Sequence, residues 1–140
     1  MKHILTCSFG KDSIATALLA LQHGDPLDEL VYSEVMFSDT VSGELPEHKR
    51  FIYETAIPYF EKRGIPTRVL RGQKTYLDCF YHIVSRGNAE GKLASFPLTG
   101  RCSIQRDCKR PPIRTYQKTL PQDTVYYRGI AADEPIRLAR

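Results

Sequence analysis

The 140-residue sequence has no apolar run long enough to span a bilayer. It also has no charged N-terminal region leading into a secretory apolar stretch, so the expectation is a cytoplasmic chain with no membrane contact. Cysteine is scarce. Cys7, Cys79, Cys102 and Cys108 are too few and too irregularly spaced for a small disulfide scaffold, and none makes a C-x-x-C pair. An iron–sulfur cluster would have to recruit Cys7 from the first apolar run, so the thiols are expected to be reduced and no cluster is expected. His3, His23, His48 and His82 lack metal-ligand spacing and read as structural or surface residues. The G-x-x-x-x-G-K-[ST] phosphate motif, internal repeats, low-complexity tracts and clear domain boundaries are all missing.

What remains is the composition of an ordinary globular protein, 41% apolar and 26% charged. The simplest reading is one domain over residues 1–140, burying about two thirds of its unfolded surface. The net charge of +4 is uneven: residues 101–140 carry nine Lys or Arg against four acids, and the rest is near neutral. A basic final third suits a phosphorylated ligand, a solvated face or a weak nucleic-acid patch.

Apolar patterning predicts strands over His3–Cys7, Leu30–Phe37, Thr67–Leu70 and Thr124–Ile130. It predicts helices over Asp12–His23, with Ile14, Leu18, Leu21 and neighbouring alanines on the apolar face, over Pro46–Arg63 and over Tyr76–Ser85. Pro58 should kink or divide the second helix, and Pro111 and Pro112 interrupt a partly helical stretch over Gln105–Lys118. Three glycines and Pro97 mark 86–101 as a long loop, a kind that is often functional. Strand and helix alternate, so the expected fold is α/β: a three-layer, Rossmann-like sandwich of about five mainly parallel strands with helices on both faces. In such folds ligands bind beyond the carboxyl ends of strands. Two polar clusters lie there, one after the first strand and one after the second.

The first cluster is Ser8, Phe9, Gly10, Lys11, Asp12, Ser13. A strand turning sharply into a helix exposes the helix's first N–H groups, and these with the positive dipole end can hold an anion. Gly10 permits close approach, Ser8 and Ser13 supply hydroxyls, and Lys11 supplies a mobile charge. Asp12 suits either the first turn or a metal ion. An ordinary N-capped helix is the plain alternative. The second cluster, Asp39 and Thr40, could hold Mg²⁺ or orient a ribose hydroxyl, or serve as a local turn cap.

Ser8–Ser13 resembles the S-G-G-x-D-S loop of the adenine-nucleotide α-hydrolase-like superfamily, which includes the PP-loop ATP pyrophosphatases and the phosphoadenosine phosphosulfate (PAPS) reductases. Phe9 stands where that family usually has a second glycine. Either positive φ is not required here, or the loop is built slightly differently. Three further stretches follow in family order. Asp39, Thr40, Gly43, Glu44, Pro46 and Glu47 are similar to DTG-x-x-x-PE, with Gly43 displaced by two residues. Arg101, Cys102 and Ser103 with Lys109 and Pro112 are similar to R-x-C-[ST] with its downstream Lys and Pro. Gly129 to Arg137 resembles G-I-R-x-D-E-S-x-R, with Ala131 and Pro135 as departures.

The resemblance implies the adenine-nucleotide α-hydrolase type of fold. It implies that Ser8, Phe9, Gly10, Lys11, Asp12 and Ser13 bind phosphate or sulfate groups of ATP or PAPS. Asp39, Thr40, Arg101, Gly129, Asp133 and Arg137 would complete the nucleotide site, with Asp12 and Asp39 as the candidate Mg²⁺ ligands. Lys11 and Asp12 would be catalytic, the expected reaction being attack at the α-phosphate with adenylation of an acceptor and pyrophosphate release. A first rival is sulfonucleotide reduction through Cys102, flanked by Arg101 and Arg106, with an external thioredoxin-like donor. The reductases' tail cysteine has no counterpart here: the chain ends at Arg140 and reads as short or truncated. A second rival is a non-catalytic nucleotide sensor or nucleic-acid module using the basic final third. The sequence leaves the oligomeric state open, a homo-oligomer included.

Overall fold

The computed structural model describes residues 1–95 and 102–131. Strand β1, His3–Thr6, has Ile4 and Leu5 fully buried, and it is followed by helix α1, Lys11–His23. Strand β2, Glu29–Glu34, pairs with β1 in parallel, Leu5 opposite Leu30 and Thr6 opposite Val31. Parallel neighbours cannot be joined by a hairpin, so α1 makes the crossover between them. Gly24 ends α1 with φ of 73°, a left-handed C-cap that glycine adopts without steric cost.

The sheet has four parallel strands in the order β3-β2-β1-β4, with β3 at Thr67–Arg71 and β4 at Val125–Tyr127. The coarse α/β expectation therefore holds, with four strands rather than five among the described residues. All six residues of β2 are buried, as expected of an inner parallel strand. Two of them are glutamates. Glu29 receives Lys2 Nζ and Arg68 Nε at 2.7 Å each, and Glu34 receives Arg71 Nη2 at 2.7 Å and Ser42 Oγ at 3.0 Å. Paired in this way, the carboxylates can stay charged inside the sheet.

The described residues form two compact units: 1–32, 47–69 and 119–131 in the first, 33–46, 70–95 and 102–118 in the second. The core of the first gathers Leu5, Phe9, Leu30, Tyr32, Ile52 and Phe60 among others. The second is centred on Cys79, Ile104 and Cys108, with Val35 and Tyr76 packed against them.

Both proline-containing helices solve their proline in the same way. Helix α2, Pro46–Phe51, continues through a π-helical segment, Ile52–Ala56, into α3, Ile57–Glu61. A second π segment, Gln105–Lys109, runs into α5, Arg110–Gln117. Each prolyl ring would clash with the carbonyl four residues back in a regular helix. The wider turn takes the Ile57 N–H to Ile52 O and the Arg110 N–H to Gln105 O just ahead of the prolines, so the helix continues instead of dividing.

Other expectations are corrected. Leu18 is exposed, while Ala17 and Ala20 are buried with Ile14 and Leu21 beside them, as expected. Helix α4 covers only Tyr76–Phe80. After it the β-branched Ile83 and Val84 adopt extended pairing: Ile83 bridges Leu93, and the Val84 N–H donates to Lys92 O. Gly87 and Gly91 turn this segment at positive φ, so part of the expected loop is a small hairpin.

Candidate functional site

In the first unit, β1 ends and the Cys7 N–H donates to Val31 O at 2.9 Å. Cys7 is buried, as expected, and burial pushes its thiol pKa up. Phe9 then adopts φ of +57°, so the loop does use the left-handed conformation that a glycine would supply. A phenylalanine there is strained by about 1–2 kcal/mol. Its ring offsets this: it is 1% exposed and packs edge-on against Tyr32, with ring centroids 5.4 Å apart. Phe9 therefore shapes the loop from the core side.

Gly10 is the N-cap of α1, extended at φ −77° and ψ 169°, and it makes no side-chain cap. Ser8 and Ser13 are turned to each other. The Ser13 hydroxyl donates to Gly10 O at 3.1 Å, and the two hydroxyl oxygens lie 3.4 Å apart. Lys11 is exposed on the first turn, and Asp12 supplies its carboxylate. Gly129 closes in from the end of β4. A β-carbon on it would lie 2.7 Å from Asp12 O and 2.9 Å from Ser13 N, so only glycine lets this backbone meet the start of α1. Thus Ser8, Phe9, Gly10, Lys11, Asp12, Ser13 and Gly129 come together in one place. Arg101, Asp133 and Arg137 lie outside the described residues.

Asp39, Thr40 and Cys102 belong to the second unit. Asp39 and Thr40 sit exposed at the tip of a tight turn in which the Phe37 N–H donates to Val41 O. The local cap there is Ser38, whose Oγ accepts the Val41 N–H at 3.2 Å, so Asp39 is not used as a turn cap. Among the described residues, no three His, Cys, Asp or Glu side chains gather closely enough to hold a metal ion.

The same unit contains an open cavity of about 490 Å³, lined in part by Ser33, Glu44, Tyr76, Cys102 and Lys109. Gly43 forms part of its wall because a β-carbon there would lie 2.6 Å from the Tyr76 ring and 2.7 Å from Val35 O. Burial and the Glu44 carboxylate push the Tyr76 phenol pKa up, keeping it a neutral donor. Cys102 is exposed, and its sulfur accepts the Gln105 N–H at 3.4 Å, the place a cap would occupy. A smaller cavity of about 280 Å³ is lined by Lys74, Asp78, Cys79, His82, Arg106 and Asp107. Arg106 holds the Asp107 carboxylate by two hydrogen bonds of 2.8 Å and lowers its pKa. Beneath, Cys79 and Cys108 meet at 3.4 Å.

Sequence reasoning named Cys102, Glu44 and Lys109 but missed Tyr76 as a cavity wall and missed the Cys79–Cys108 pair. The two cysteines are 29 positions apart, and no local period relates them. Comparison with protein-family models, curated proteins and solved structures returned no match.

Proposed function

We propose that the chain binds an adenine nucleotide, ATP or PAPS, through the start of α1. On this reading it acts at the α-phosphate as a PAPS reductase-like member of the adenine-nucleotide α-hydrolase-like superfamily. The observation that carries the reading is the pair Phe9 and Gly10: a strained left-handed residue followed by a helix start with no side-chain cap, directly after an inner parallel strand. Backbone N–H groups of that turn and Lys11 would stabilise charge developing on phosphate oxygens without reorganising. An acceptor oxygen attacks the α-phosphorus and the bond to the β-phosphate breaks, releasing pyrophosphate. Mg²⁺ enters with the nucleotide, held mainly by phosphate oxygens and water, with Asp12 as the first-turn carboxylate. The family resemblance would add Asp39, Thr40, Arg101, Gly129, Asp133 and Arg137 to the nucleotide's contacts, with the two arginines suited to its phosphates.

Calorimetric titration with ATP, AMP and PAPS tests this. Wild type should bind ATP or PAPS, and Lys11→Ala should bind about tenfold or more weakly, as loss of a charged phosphate contact predicts. No binding by wild type, or equal binding by the variant, overturns the reading.

The exposed Cys102 at the larger cavity favours a second reading, sulfonucleotide reduction. Its thiolate would attack the sulfate sulfur of PAPS, displacing the nucleotide phosphate, and a thioredoxin-like dithiol would then release sulfite. Sulfite production that persists in Cys102→Ser rejects that role.

A further inference from the structure

The core of the second unit is built around two thiols that neither reading uses. Cys79 lies on α4 and Cys108 on the second π segment, with their sulfurs 3.4 Å apart and both side chains buried. A disulfide requires about 2.05 Å between sulfurs, so side-chain rotation has to close only roughly 1.4 Å. The two thiols differ in access. Cys79 forms part of the wall of the 280 Å³ cavity, together with Lys74, Asp78, His82 and the Arg106–Asp107 ion pair. Cys108 is enclosed: it donates weakly to Thr75 O at 3.5 Å. Burial and the neighbouring Cys79 push its pKa up to about 12, so it stays a protonated thiol.

We propose that Cys79 and Cys108 are a redox modification site, in which a small peroxide entering the lesser cavity oxidises Cys79 and Cys108 then closes the disulfide. The Cys79 thiolate attacks one peroxide oxygen and the O–O bond breaks. This leaves a sulfenic acid at Cys79, and hydroxide departs as water after taking a proton. Cys108 sulfur then attacks Cys79 sulfur. The S–S bond forms, the S–O bond breaks, and the Cys108 proton leaves with the departing hydroxide as a second water. In sum two thiols and one hydrogen peroxide give one disulfide and two waters. The adjacent Cys108, 3.4 Å away, intercepts the sulfenic acid before further oxidation. The new bond ties α4 to the π segment. These elements also carry Tyr76 and Lys109, two walls of the larger cavity, so oxidation reports directly on that cavity's shape.

The test is peroxide treatment of the whole chain followed by a non-reducing tryptic map. The expected product joins the peptides 75–86 and 107–109 with loss of two hydrogen atoms. Titratable thiols under denaturing conditions should fall from four to two, and dithiothreitol should restore them. Cys79→Ser and Cys108→Ser should each abolish the link, whereas Cys102→Ser should keep it. The wild-type map decides even where a core variant folds poorly. A disulfide through Cys7 or Cys102, over-oxidised Cys79 without a link, or loss of the link in Cys102→Ser overturns the proposal.

Discussion

Helix α4 begins with its first turn answered from within: Thr75 Oγ1 accepts the Asp78 N–H at 3.2 Å, and Asp78 Oδ2 accepts the Thr75 N–H at 2.8 Å. Helix α1 begins at Gly10, which has no side chain to offer, one residue after a phenylalanine held at φ +57°. A side-chain cap is worth about 1 kcal/mol, and left-handed backbone at a non-glycine residue costs a similar amount. At positions 9 and 10 the chain accepts that strain and goes without a side-chain cap, a loss of a few tenths of a kcal/mol where glycine is the N-cap, while α4 carries a complete capping box. The nearby serines do not supply the cap: Ser13, inside the first turn, donates its hydroxyl to Gly10 O. Local instability of this kind gathers where a backbone is shaped for a ligand.

The contrast breaks most severely at Phe9. Phe9→Ala removes a fully buried ring and should cost about 3–5 kcal/mol in urea denaturation. Phe9→Gly removes the same ring but relieves the backbone, so it should be milder than the alanine variant by roughly 1 kcal/mol. Equal losses in the two variants would show that the positive φ carries no strain.

Gly129→Ala comes next. The added carbon meets backbone of Asp12 and Ser13, which cannot move aside as a flexible side chain would, so about 1–3 kcal/mol is expected. Nucleotide binding should fall as well, because the displaced atoms belong to the first turn of α1. Thr75→Ala, at the capped helix, should cost about 1 kcal/mol and leave nucleotide binding unchanged. Loss of binding in Thr75→Ala with none in Gly129→Ala would invert the contrast between the two helices.

The parallel sheet was legible because Ile4 and Leu5 in β1 and Leu30, Val31 and Tyr32 in β2 form short apolar runs without a helical period, and because Gly24 and Gly64 mark turns where φ turns positive. The anion loop was legible as a run of residue types, but not its conformation. Phe9 reads as a bulky residue unsuited to positive φ until its contact with Tyr32, 23 positions away in sequence, is known to hold it. The continuous helices past Pro58 and Pro111 were hidden for a related reason. A π turn changes one hydrogen bond and has no residue signature of its own. The Cys79–Cys108 pair depends on tertiary packing, which spacing rules do not sense.

The smallest expected effect discriminates most, since stability and binding should move in opposite directions. A β-carbon at Gly10 would meet only Ser8 Oγ, at an ordinary 3.5 Å, and the backbone there is extended, as N-cap residues usually are. Gly10→Ser should therefore be accommodated and should give α1 the side-chain cap it lacks. The gain is a few tenths of a kcal/mol, because glycine is already a tolerable N-cap. The new hydroxyl would occupy the first-turn N–H groups that a phosphate needs, so nucleotide affinity should fall by about tenfold, the equivalent of one hydrogen bond to a charged group. A helix start left open by chance would gain the stability with no loss of affinity. Thermal denaturation of Gly10→Ser set beside its ATP titration separates the two cases, and a gain in both would remove the reason for reading the start of α1 as a binding site.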